Sequence, residues 1–266
     1  MDDTRAEPDS LEPLSPQRRT WLRREVLLVL AVSLGQSGVY AIVDLGAKLT
    51  SGTPISGTSA NLNTPKAPLA RPTLDLVYQL LGIGFALVPV LLACHFLVIG
   101  GERATRVLGV DLSRPGRDIA TGAAFAAIIG GTGLLLVLVA RSLGLSANIV
   151  ASSLPAVWWR IPVLLLSAAE NAILEETIVV GYLLHRLRQL GWRDGPALVT
   201  SAVLRGSYHL YQGVPAFLGN AAMGLIFGRY YQLKGRVAPL VVAHFLIDAV
   251  AFVGYVYLHG KVSWLP

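Results

Sequence analysis

IPVLLLSAAENAILEETIVVGYLLHRL, residues 161–187, is an apolar run long enough to cross a bilayer. Yet it carries Glu175 and Glu176 near its middle and Glu170 one turn earlier. About 20 predominantly apolar residues span the hydrocarbon core as a helix. An ionised side chain at that depth costs roughly 2.5–3.5 kcal/mol on insertion scales. Two adjacent carboxylates therefore cost on the order of 5 kcal/mol unless protonated, paired or hydrated. A soluble amphipathic helix would carry such acids freely, but the rest of the chain argues against one. The glutamate pair reads as the functional centre.

Of the 266 residues, 53% are hydrophobic and only 14% are charged, whereas soluble domains carry about 25% charged residues. Mean hydropathy is +0.58. Such depletion, with several long uncharged runs, indicates a polytopic membrane protein. In a soluble chain the net charge of +6 would suggest nucleic acid. Here arginines flanking the spans account for it, so the expected partner is the lipid bilayer and no nucleic acid. The single cysteine, Cys94, excludes an intrachain disulfide and a Cys-based metal cluster. The predominance of Arg over Lys hints at a GC-rich genome, and the expected location is a prokaryotic cell membrane.

Residues 1–20 are acidic, Pro-rich and aperiodic, which predicts a disordered cytoplasmic tail. Residues 21–156 then read as N-terminal transmembrane helices and loops. A first span covers Val26 to Val43, and an irregular external loop runs from Gly46 to Pro72. The second span covers about Leu74 to Ile99 and the third Ile119 to Ala140. Ser142 to Pro155 reads as a loop or a surface-lying segment. Trp158, Trp159 and Arg160 form an interfacial anchor before the glutamate helix. Further spans are expected at about Pro196–Tyr211, Pro215–Gln232 and Val237–Leu258, with a C-terminal tail from 259 to 266. The fold class is thus an all-α membrane helix bundle of about seven transmembrane helices. Arg/Lys-rich segments precede span one and fill 100–117, 185–194 and 229–236, which predicts a cytoplasmic N-terminus.

Ionisable residues recur inside the later spans. Arg205 and His209 are four apart, as are His244 and Asp248, so each pair is expected on one helical face. Three helices with ionisable groups at membrane depth are best accommodated by a common wet cavity. Asn220 either faces that cavity or bridges helices. Gly224 and Gly228 form a GxxxG pair that predicts close helix packing.

Glu175-Glu176 followed by Gly181, His209 after an apolar run, and FLGNAAMGLIFGRYYQLKGRVAPLVVAHFLID ending at Asp248 together resemble a known group. It is the CAAX-protease and bacteriocin-processing (CPBP, Abi-type) family of intramembrane endopeptidases, related to the Ras-converting CAAX endopeptidase. The resemblance covers residues 157–258. The family's pattern is EExxxR, FxxxH and HxxxN or HxxxD on successive helices. Glu175 and Glu176, His209, and His244 with Asp248 match it. Val180 stands where the first motif has arginine, and Arg205 where the second has an aromatic residue.

The resemblance implies hydrolysis of a peptide bond in a membrane-associated protein or peptide. Cleavage needs a base for water, an oxyanion donor and a proton for the leaving amine. Glu175 and His209 are the residues implied for activating the water. His244 is the candidate oxyanion donor with Asp248 as its orienting partner, and Glu176 a positioning carboxylate. The donor types also suit Zn²⁺, held by Glu175, His209 and His244, although no HExxH occurs. Two other classes are compatible with these residues: a catalytically silent scaffold of the same fold and a proton-coupled transporter. Finally, Arg205 is expected to pair with Glu176, supplying from span five the charge lost at Val180.

Overall fold

The computed structural model describes residues 15–262. Those parts of the expected tails that fall on 1–14 and 263–266 lie outside the described residues. The fold is an all-α membrane bundle with one small sheet among the described residues. Its helices are α1 (Pro16–Ala31), α2 (Leu34–Thr50), α3 (Pro72–Ala86), α4 (Val88–Ile99), α5 (Ala104–Leu108) and α6 (Pro115–Ser142). They are followed by α7 (Arg160–Glu175), α8 (Leu183–Gln189), α9 (Asp194–Ser207), α10 (Val214–Lys234) and α11 (Ala238–Leu258). Prolines open α1, α3 and α6, where the missing N–H has no helical partner to lose. Ser15 caps α1 by accepting from the backbone N–H of Arg18, inside the stretch expected as a tail.

Length and apolarity alone qualify three stretches as spans: Pro72–Ile99, Pro115–Ser142 and Ala238–Leu258. The pair α1 and α2 makes a fourth if it is one span broken by a 53° bend. Of the remaining helices, α9 is shorter, the stretch Arg160–Gln189 carries the acids of the interior, and α10, 21 residues long and without an acid, is less apolar. A count of seven spans and the side of the N-terminus stay expectations. The first span, expected as an unbroken run, is interrupted: Ser33 leaves helical geometry and its hydroxyl bonds the carbonyl of Val29 at 2.6 Å. The second is broken for one residue, Leu87, between α3 and α4, just before Pro89, which has no N–H and whose ring crowds the carbonyl four residues back.

Two segments read as loops form strands. β1 (Ser59–Asn63) pairs in parallel with β2 (Asn148–Ser152), in register Ser59 with Asn148 and Asn63 with Ser152. Neither strand has a strongly apolar alternation, and each gains order only from the other. Asn63 and Asn148 add side-chain bonds across the pair's ends, to the carbonyls of Ala151 and Ser56.

The core surrounds the junction of α7 and α8. Residues Glu176–Tyr182 form a π-helical segment, so Arg160–Gln189 is one continuous rod with a widened middle. Ile178, Val179 and Val180 in that segment are wholly buried, as are Phe227 of α10 and Leu240 of α11. Gly181 lets the rod approach its neighbours: a Cβ there would lie 2.5 Å from Leu108 and 2.9 Å from Val237. The expected GxxxG packing has a defined partner. A Cβ at Gly224 would come within 2.9 Å of the Ala202 backbone, so α10 lies directly against α9.

Candidate functional site

Glu175 and Glu176 fall at the seam between α7 and the π-helical segment. π-bulges widen a helix and frequently mark functional sites. Here the seam turns both adjacent acids toward α9. Arg205, on the last turn of α9, is fully buried and forks onto Glu176, with Nη1 donating to Oε2 at 3.1 Å and Nη2 to Oε1 at 2.6 Å. Such a two-pronged bond is the strongest pairing available to a guanidinium. Nη2 also lies 3.3 Å from Glu175 Oε2 and 3.1 Å from His244 Nδ1. His244 Nδ1 is in turn 2.8 Å from Glu176 Oε1. A buried charge must be paired or hydrogen-bonded, and Glu176 has both of its oxygens committed.

Glu175 is held differently. Its Oε2 accepts from the hydroxyl of Tyr208 at 2.8 Å, and the residue lines the large cavity described below. Tyr208 and Arg205 both address Oε2 of this cavity-lining residue. Asp248 lies one turn after His244 on α11, its Oδ2 3.6 Å from His244 Nε2, and it accepts from Asn171 Nδ2 at 3.2 Å.

His209 corrects one expectation. α9 ends at Ser207, so His209 is not on a helical face with Arg205. It sits at the entrance of a 3₁₀ turn, Leu210–Gln212. Its Nδ1 nonetheless lies 3.1 Å from the Arg205 carbonyl. A carbonyl can only accept, so Nδ1 carries the proton and Nε2 keeps its lone pair. Tyr208 packs on the imidazole with ring centroids 4.8 Å apart.

These groups face a cavity of about 1470 Å³ whose walls are largely apolar. Glu170, Asn171, Glu175, Tyr208, His209, His244 and Asp248 line it, and so does Asn220, which donates to Ala216 of its own helix. Glu176 and Arg205 do not reach it and stand behind it. The sequence missed Tyr208 and Asn171. Asn171 is four residues before Glu175, a spacing that would have placed it on the same face, whereas Tyr208 gave no signal before the end of α9 was known.

The metal-donor geometry also differs from expectation. Ligand atoms of Glu175, Glu176 and His244 lie within 4.8 Å of one another, and His209 is not in that set. All three residues direct their atoms at Arg205 Nη2, at 3.3, 2.6 and 3.1 Å. A cationic guanidinium, itself fully buried, thus occupies the place a metal ion would take. The donor set does not fit Zn²⁺ while Arg205 holds this position.

A separate ionic cluster joins the start of α6 to the turn before α11. Arg236 joins Asp111 and Asp118 at 3.0 and 2.6 Å, and Ser113 also bonds Asp111. The Ser113 hydroxyl first and the Arg236 guanidinium second hold the Asp111 carboxyl down at about 2.

Residues 156–250 match the family model for type II CAAX prenyl endopeptidases, Rce1-like. That interval holds Glu175, Glu176, Arg205, His209, His244 and Asp248. No curated protein and no solved structure matches the chain.

Proposed function

Residues 156–250 carry the CAAX-protease family's module, and from that premise we propose that the chain is an intramembrane endopeptidase whose base is Glu175. The protein is a helical membrane protein of a protease family; the mechanism and its residues are our reading. The observation that carries it is the unequal treatment of the two glutamates. Glu176 is wholly buried and fully bonded, while Glu175 is held by one oxygen and lines the cavity.

A water in the cavity gives a proton to Glu175 Oε1 as its oxygen attacks the carbonyl carbon of the substrate. His209 Nε2, with its lone pair free, orients that water by accepting its second hydrogen. The carbonyl π bond becomes an oxyanion, and His244 is the donor assigned to it: with the Glu176 and Asp248 carboxylates at its two ring nitrogens it acts as the imidazolium, Nδ1–H held by Glu176 and Nε2–H offered toward Asp248 and the cavity. The C–N bond then breaks, and the proton held by Glu175 passes to the leaving amine. Glu176, Arg205 and Asp248 are positioning residues. No step runs through a metal, because Arg205 fills the centre of the donor set.

Substrates are membrane-associated proteins or peptides, as the family's chemistry requires. Comparing protein termini in cells with wild-type and Glu175→Gln protein tests the reading. Loss of a set of termini with the variant still present in the membrane supports it. Unchanged termini remove proteolysis, and altered ion flux with unchanged termini would favour a transporter.

A further inference from the structure

The two ends of the bundle differ in charge and in access to Glu175. The Arg/Lys-rich segments meet at one end. Arg18 reaches the Gly100 carbonyl at 3.5 Å, the Val237 N–H bonds the Leu108 carbonyl at 2.8 Å, and Gln232 bonds the Asp194 carbonyl at 2.8 Å. From that end Glu175 is shut off. Ile178, Val179 and Val180 follow it along the rod with no exposed surface, and Phe227 and Leu240 close over them, also fully buried. Among the described residues of 101–117, 185–194 and 229–236, none lines the cavity.

The opposite end is open. There the cavity is bordered by Asn61, Thr64 and Lys66, all exposed, and by Tyr211 and Gln212 next to His209. The loop after β1 is fixed in place: buried Asp75 accepts the backbone N–H of Lys66 at 2.6 Å, and Gln79 donates to the Thr64 carbonyl at 2.9 Å. Ala147 bonds the Gln212 carbonyl at 3.1 Å, which ties the sheet to the turn that carries His209. A continuous path therefore runs from this rim to Glu175.

Arg and Lys accumulate on the cytoplasmic side of membrane proteins. We propose that the site is fed from the face opposite the cytoplasm, so that its substrate is a polypeptide segment lying on the non-cytoplasmic side of the membrane. This rests on the protease reading for what is done to the segment, and on charge and access for where it lies. A chain anchored at the cytoplasmic surface would meet the sealed end, beyond the buried π-helical segment. β1, β2 and the loop fixed by Asp75 form the rim that such a substrate meets first, and they lie outside the interval matched by the family model.

The test is thiol accessibility in a Cys94→Ala background. Asn61→Cys places the label at the rim, and Leu112→Cys, at an 88% exposed position, places it in a basic segment. Both are labelled in detergent to show that each thiol is reactive. With a membrane-impermeant maleimide, Asn61→Cys should react in intact cells, and Leu112→Cys only in inverted vesicles. Asn61→Cys protected in intact cells, or Leu112→Cys labelled there, overturns the proposal. Labelling as expected with termini unchanged by Glu175→Gln would keep the orientation and reject only the proteolysis it serves.

Discussion

Arg205 and Arg186 are both buried, at 0% and 3% exposure, and both gather two glutamates, yet they sit in opposite settings. Arg186, on α8, donates Nε to Glu25 at 2.9 Å, Nη1 to Glu102 at 2.9 Å and Nη2 to the Phe96 carbonyl at 3.0 Å. His185 and Gln189 also reach Glu102, and Tyr182 donates to Glu25 at 2.7 Å. That network ties α1, the segment after α4, and α8 together at the sealed end. The Arg205 network has one open side, where Glu175 meets the cavity. A buried ion network is therefore not a site in itself; it becomes one where a member is left incompletely bonded beside space for substrate. Breaking the two networks should separate these roles.

The largest effect is expected at Arg205. Arg205→Met strands Glu176 without a cationic partner, and removing one member of a buried pair costs about 3–5 kcal/mol. The variant should lose most of its thermal stability in detergent, and Val180→Arg added to it should recover part. Equal stability of single and double variants would show that Val180 and Arg205 have not exchanged roles. Arg186→Met comes second. Glu25 and Glu102 are about one-fifth exposed, at 19% and 23%, so water can take over part of the solvation. A loss of about 1.5–3 kcal/mol follows from the charged hydrogen bonds removed. Processing per folded molecule should be unchanged, measured on the surviving membrane-inserted fraction.

How much of this was legible differs between the same two regions. The fold class followed from uncharged runs and basic flanks, because bilayer thickness and the positive-inside asymmetry act on composition alone. Glu175, Glu176, His244 and Asp248 were legible because an acid inside a span carries its own cost and the i,i+4 spacing survives in α11. His209 was legible through the family motif, but the helical face it was expected to share with Arg205 failed, since α9 stops at Ser207 and His209 stands just before a 3₁₀ turn. The strands at 59–63 and 148–152 were not legible: their partners are far apart in sequence and neither shows the alternation of a half-buried strand. The Arg186 network was hidden for the same reason, as it joins α1, the turn after α4, and α8.

Two smaller effects sharpen the contrast. Tyr208→Phe deletes one hydrogen bond to Glu175 and leaves Arg205 in place. A single bond is worth about 1 kcal/mol, so processing should slow about fivefold to tenfold with stability nearly kept. An unaltered rate would take Tyr208 out of the site. At the sealed end, burial alone would push the Glu102 carboxyl up, but the His185 bond and charge and then Arg186 hold it below the ordinary carboxylate range. A depressed folded value contributes stability that is present above the unfolded value of about 4.3 and lost as pH falls through the folded one. Thermal unfolding from pH 6 downward should show that loss, and Glu102→Gln should flatten it.

The central claim is that Glu175, and not its fully bonded neighbour, is the base. Quantitative proteomics of protein termini in cells carrying wild-type or Glu175→Gln protein tests it most directly. The account predicts that a defined set of membrane-protein termini disappears, with the Glu175→Gln variant still inserted at normal level. Those termini persisting undiminished beside normally inserted variant would contradict it.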